Sequence, residues 1–160
     1  MSEDCRCYLV IRIKGSVRAR KEDLATLRML NLRRANWATI IPKNSSYEGM
    51  LRKVEHFITW GEPTLKTIKT LLRKMEVIGD GKLDEESVKS LGFESIEELA
   101  KKLYTAEAVL NKLKNKGLRP YARLHPPRGG FRGTIKKHFS AGGEYGYRGK
   151  KINELFVRMA

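Results

Sequence analysis

Within its first sixty residues the chain switches repeatedly between two apolar rhythms, and few folds accommodate that switching. The segment CYLVIRIKG, residues 7–15, alternates and is rich in β-branched side chains, which is the pattern of a strand. Residues 21–30 then place Leu24, Leu27 and Leu30 at helical spacing, with Glu22 and Asp23 suited to a first turn and Asn31 to a left-handed stop. NWATII, residues 36–41, reads as a second strand closed by Pro42. Ser45 and Glu48 form a capping-box pattern ahead of a helix marked by Tyr47, Met50, Leu51 and Val54. Residues 56–60 read as a third strand, so the unit is β-α-β-α-β. On the first strand, Arg12 and Lys14 share a face with Tyr8 and Val10, so that face should meet something polar towards its end.

Three segments of different character follow one another. Residues 1–61 are the β-α-β-α-β unit. Residues 62–117 read as a mostly helical insertion. There Thr64 can cap a helix through Leu65, Ile68, Leu72 and Met75, Asp80-Gly81 forms a turn between two short β pieces, and Ser95 with Glu98 opens a further helix. Residues 118–160 begin with an extended piece, continue through a Gly/Pro/Arg-rich stretch expected to wrap over a surface, and end in a helix. In that helix Ile152, Leu155, Phe156 and Met159 recur on one face. The expected class is therefore α+β: a small antiparallel sheet with helices on one face, a helical insertion, and a basic end whose helix packs back on the core.

Charge divides the same segments. The whole carries +15, yet residues 61–117 hold eleven basic against ten acidic residues, while residues 118–160 hold ten against two. No acid occurs from Leu118 to Gly143. Solvated faces mix signs, whereas a run of single sign suits a polyanion. Arginine forks bind phosphate bidentately, glycines let a backbone approach a phosphodiester, and interleaved Tyr121, Phe131, Tyr145 and Tyr147 can stack on unpaired bases; Phe139 is expected in the core. The stretch RLHPPRGGFRGT, residues 123–134, combines these features, and residues 126–149 are expected to be partly mobile without RNA.

Other chemistries find little support. Cys5 and Cys7 lack the further ligands a metal site needs and are expected as plain thiols. His125 and His138 are the only residues to suggest an acid–base pair, and no acid lies between them to orient either ring. There is no phosphate loop and no dinucleotide-binding glycine motif. No apolar run is long enough to span a membrane, and the first residues do not resemble a signal peptide. A general DNA-binding architectural protein and an RNA-processing enzyme remain as rival classes.

Four segments in order resemble one family: YLVIRIKGSVRARKEDLATLRMLNLRRANW, SSYEGMLRKVEHFITWGE, RLHPPRGGF and GYRGKKINELFVRM. They resemble the archaeal form of the thirtieth large-subunit ribosomal protein, whose eukaryotic relatives are numbered seven; the shorter bacterial form matches only the first sixty residues. The long basic N-terminal extension of the eukaryotic relatives is not seen, which favours the archaeal type. The resemblance implies a non-enzymatic constituent of the cytoplasmic large ribosomal subunit. It implies binding to large-subunit ribosomal RNA close to 5S RNA, beside neighbouring ribosomal proteins, with no cofactor, membrane or small-molecule substrate. The RNA-facing residues are then expected at Arg18, Arg20, Lys21, Arg28, Arg33 and Arg34. In the basic end they are expected at Arg123, His125, Arg128, Arg132, Lys136, Lys137, Arg148, Lys150 and Lys151.

Overall fold

The computed structural model describes residues 5–79 and 81–160. Asp80 of the expected turn lies outside them. Strand β1 (Cys7–Arg12) is followed by α1 (Lys21–Met29), β2 (Trp37–Pro42), α2 (Ser45–Lys53) and β3 (Ile58–Gly61). Both β2 and β3 pair antiparallel with β1, which therefore lies between them. Next come α3 (Leu65–Lys74), the short strands β4 (Met75–Val77) and β5 (Gly81–Lys82), and helices α4 (Glu85–Ser90), α5 (Ile96–Tyr104) and α6 (Leu110–Leu113). Strands β6 (Leu118–Arg123), β7 (Thr134–His138) and β8 (Gly143–Tyr147) precede the final helix α7 (Ile152–Met159). All the strands join one sheet in the order β5-β4-β6-β2-β1-β3-β8-β7. The β3–β8 and β8–β7 pairs run parallel; the rest are antiparallel.

Each face of β1 has its own apolar layer. Cys7, Leu9 and Ile11 pack with Ile68, Leu71 and Leu72 of α3, with Leu99 and Leu103 of α5, and with Leu155 and Phe156 of α7. Val10 points the other way, to Leu27 of α1 and Leu51 of α2, together with Val54, Ile58 and Trp60. Thus α1 and α2 share one face of the sheet, and the 62–117 segment and α7 cover the other. Leu9, Val10 and Ile11 are completely buried, and burial of each such side chain contributes about 1.5–3 kcal/mol.

Several local details differ from the sequence reading. The cap of α2 is Asn44, not Ser45: its Oδ1 accepts from the Tyr47 N–H at 2.8 Å, because the extended backbone at Asn44 aims the amide oxygen into the first turn. The third strand begins at Ile58, since residues 55–57 form a 3-10 turn. The stretch expected to wrap without regular structure contains β7 and β8. Strand β8 is stabilised by pairing to β3, a distant segment whose partner the local sequence does not announce, and β7 by pairing to β8. Thr64, Ser95 and Asn31 behave as expected, the first two accepting helix N–H groups and the last adopting φ 63°.

At the end of β1 the expected polar environment is intramolecular. Arg12 is 1% exposed. Its guanidinium donates to the Lys14 carbonyl (2.8 Å), the Leu32 carbonyl (2.8 Å) and Ser16 Oγ (3.0 Å). These bonds tie the loops on either side of α1 to the sheet. Burial lowers the Arg12 pKa, yet an arginine in a protein stays charged. Arg12→Met would keep the apolar stem and delete the donors. The expected loss is about 2–4 kcal/mol of unfolding free energy, read as a lower urea midpoint at unchanged slope.

Candidate nucleic-acid interface

Strand register brings the basic loops together. Because β1 and β2 are antiparallel, the end of β1 meets the start of β2, and Asn36 N–H donates to the Arg12 carbonyl at 2.7 Å. Because β2 and β6 are antiparallel, Trp37 faces Arg123, and Leu124 N–H donates to the Asn36 carbonyl at 3.0 Å. One end of the sheet therefore gathers the 13–20 loop, the 31–36 loop and the end of β6. Arg18, Arg20, Lys21, Arg33, Arg34 and Arg123 are all exposed. Arg20 ion-pairs with Asp23 at 3.3 Å while remaining 76% exposed; such a pair is weak and readily exchanged for another anion. Arg18 has φ 60°, a conformation that places this arginine at the tip of a tight turn.

Beside these cations lies an aromatic stack that the sequence reading did not assemble. Trp37 and Tyr121 are parallel, with centroids 4.0 Å apart and planes 3° apart, and the Arg123 guanidinium sits 5.9 Å from the Trp37 ring. Both rings are half-buried. In the sequence Trp37 reads only as a residue of the second strand. Its signal was present, since strand alternation separates it from the buried Ala38 and Ile40 and places it on the α1 side of the sheet.

The remaining expected residues are distributed elsewhere. Arg28 lines a groove with Met29, Asn31, Tyr47, Met50 and Lys114. His125 continues from the basic end of β6, its ring fixed by contacts with the carbonyls of Pro126 (2.8 Å) and Ala160 (2.7 Å). The proline-glycine segment is held by the end of α7: His125 N–H donates to Met159, Arg128 N–H donates to Arg158, and the Arg158 guanidinium donates to the carbonyls of Arg128 and Gly130. The Arg128 side chain is left exposed by these backbone contacts, and Lys136 and Lys137 are exposed on edge strand β7. Arg132 lines a cavity of about 280 Å³ with Phe139, Arg148, Lys151 and Arg158. Lys150 and Lys151 follow β8 at the far end of β3, where the backbones of Gly61 and Gly149 touch. They do not join the cluster around Trp37.

Arg148 departs from the sequence expectation. It is 8% exposed, and its guanidinium binds Glu144 Oε2 (2.7 Å) and Thr59 Oγ1 (2.7 Å). Counting charge along the chain cannot tell a cation facing solvent from one that ties β8 to β3. Phe139 also departs: it is only partly buried and lies under the cations of Arg148 and Lys151. His138 does meet an acid, but a distant one: Nε2 lies 2.8 Å from Glu55, and Nδ1 accepts from the Ser140 N–H. Both nitrogens are committed to holding the β7 end, so the pair acts as a latch.

Comparison with known proteins places the chain in a family. A family model described as Ribosomal protein L30p/L7e matches residues 8–58. The chain is 44% identical over 153 residues to large ribosomal subunit protein uL30 of Nanoarchaeum equitans, spanning 94% of this chain and 97% of that protein. It is 45% identical over 157 residues to uL30 of Ignicoccus hospitalis, spanning 96% and 98%, and 43% identical over 159 residues to that of Korarchaeum cryptofilum, spanning 98% and 97%. The chain belongs to the uL30 family. The matched residues 8–58 include Arg12, Arg18, Arg20, Arg33, Arg34 and Trp37, so the family's shared unit carries most of the basic end of the sheet.

Two outcomes test these placements. Arg148→Ala leaves the Glu144 carboxylate buried without a counter-ion and should cost about 3–5 kcal/mol in chemical denaturation, whereas exposed Arg33→Ala should leave the midpoint unchanged. The cysteines lie with their sulfurs 3.8 Å apart. The hydrogen bond between the two sulfurs draws the Cys5 pKa down to about 7, while the same contact and burial push Cys7 up. Iodoacetamide should therefore label Cys5 ahead of Cys7, with the rate rising through about pH 7 as the thiolate forms; mass spectrometry of the labelled peptide reads the order.

Proposed function

We propose that this protein is a structural, non-enzymatic constituent of the large ribosomal subunit that binds large-subunit ribosomal RNA through the basic end of its sheet. One observation carries the reading. Two loops flanking α1 and the sequence-distant end of β6 are hydrogen-bonded into one surface bearing Arg18, Arg20, Lys21, Arg33, Arg34 and Arg123 around the Trp37–Tyr121 stack. Cations fix the phosphate backbone, and the rings accept an unpaired base. Exposed Arg128, Arg132, Lys136 and Lys137 extend the contact to a second strand or helix of RNA, and Lys150 and Lys151 do so at the opposite end. A rigid sheet holding cations at both ends fixes the orientation of the RNA helices it touches.

In this reading the protein works in the cytoplasm, within the ribosome, close to 5S RNA and beside other ribosomal proteins. The aromatic stack favours structured RNA with unpaired bases over duplex DNA, which distinguishes the reading from a general DNA-binding architectural role.

The salt dependence and the stack are separately testable. With about eight phosphates neutralised, affinity for a large-subunit RNA fragment should fall tenfold or more between about 50 and 200 mM salt. Arg33→Ala with Arg34→Ala should reduce that slope. Trp37→Ala should weaken binding by about 1–3 kcal/mol while leaving the slope intact. A salt-independent affinity would remove the electrostatic mechanism, and equal binding of duplex DNA would restore the rival reading.

A further inference from the structure

At the end of the sheet away from Trp37, where Lys150 and Lys151 follow β8, one face presents aromatic rings and carboxylates instead. Tyr8 of β1, Trp60 of β3 and Tyr147 of β8 stand on one face. Tyr8 and Tyr147 meet edge to face at 6.3 Å, and Trp60 lies 6.4 Å from Tyr147. Helix α2 supplies the facing wall, and together they enclose a groove of about 410 Å³ lined by Tyr8, Glu48, Leu51, Arg52, Glu55, Trp60 and Tyr147. The groove is open, and Tyr147 is 45% exposed.

Two carboxylates line the groove: Glu48, and Glu55, which is held by His138. Glu48 lines the groove and accepts the Tyr8 hydroxyl at 3.2 Å, and among the described residues it has no cationic partner. Glu62 sits behind the rings and accepts the Tyr147 hydroxyl at 2.7 Å. Hydroxyls that donate to carboxylates leave their rings richer in electron density. The phenols register the same field: burial first, then Glu62, raises the Tyr147 pKa to about 12, and burial followed by Glu48 raises that of Tyr8. Lys43 already demonstrates the local preference, lying 5.0 Å from the Tyr8 ring and 3.1 Å from Glu62. Three electron-rich rings beside carboxylates attract a cation and repel a phosphate.

We propose that this groove receives a lysine or arginine side chain from a basic segment of a protein partner, with the cationic head over the Tyr8, Trp60 and Tyr147 rings and against Glu48. On a chain of net charge +15, this is a surface whose sign suits a basic protein rather than RNA. Arg52, exposed at the rim without an ion-pair partner, is the resident competitor and swings aside when the groove fills. The site is separate from the basic end of the sheet and does not require the RNA reading to hold.

Trp60 reports occupancy once the other tryptophan is replaced by Trp37→Phe. The full chain carrying that change is titrated with the peptide acetyl-Gly-Lys-Gly-Arg-Gly-Lys-amide and, separately, with a uridine hexanucleotide. A saturable change in Trp60 emission with the peptide is expected. Glu48→Gln, which keeps an acceptor for Tyr8, should weaken it by about fivefold, and Tyr147→Ala by a similar factor. Arg52→Ala should strengthen it. Arg33→Ala with Arg34→Ala should leave peptide binding unchanged, so failure of the RNA reading and failure of this one give different results. No saturable response to the peptide, an equal response in Glu48→Gln, or a response to the oligonucleotide instead would overturn the proposal.

Discussion

Strand β1 is buried on both faces, and that constraint organises everything around it. A strand whose Leu9 and Ile11 point one way and Val10 the other, all inaccessible to water, must be covered by two layers. Helices α1 and α2 supply one and α3, α5 and α7 supply the other. The strand then ends in a charge, Arg12, which cannot reach solvent. Its donors are satisfied by the loops that enter and leave α1. One buried guanidinium thus couples the hydrophobic core to the placement of the loops that carry the arginines.

Register converts that coupling into a polarity along the strands. Antiparallel pairing of β1, β2 and β6 brings the loops rich in arginine to one end. The β1–β3–β8 neighbours bring Tyr8, Trp60 and Tyr147 to the other, beside Glu48 and Glu62. The net charge of the chain conceals this division. A basic end and, at the opposite end, an aromatic-carboxylate groove beside Lys150 and Lys151 give one small domain two chemically distinct contacts, which suits a constituent of a particle made of both RNA and protein.

The core unit was legible in the sequence because its signals are local. Alternation marks β1 and β2, leucine spacing marks α1, and Thr64 and Ser95 cap their helices as read. The parts that were not legible depend on distant partners. Strands β7 and β8 carry glycines and lysines rather than an apolar rhythm, and they exist because β3 offers an edge to β8, and β8 to β7. Arg148 looks like its exposed neighbours until Glu144 and Thr59 are brought to it by that pairing. The Glu55–His138 latch and the Trp37–Tyr121 stack likewise join residues that only the folded sheet makes adjacent. Composition gives the sign of the surface; the fold determines which cations are exposed on it.

The central claim is that the loops at the Arg12 end of β1 face ribosomal RNA. Lysine acetylation footprinting tests it without altering the protein, by comparing the free chain with the chain assembled in large ribosomal subunits. Lys14 and Lys21, which flank the arginine loop, should be strongly shielded in the particle. That shielding should be reproduced by large-subunit RNA alone. Lys14 and Lys21 remaining as reactive with RNA as in the free chain would contradict the account.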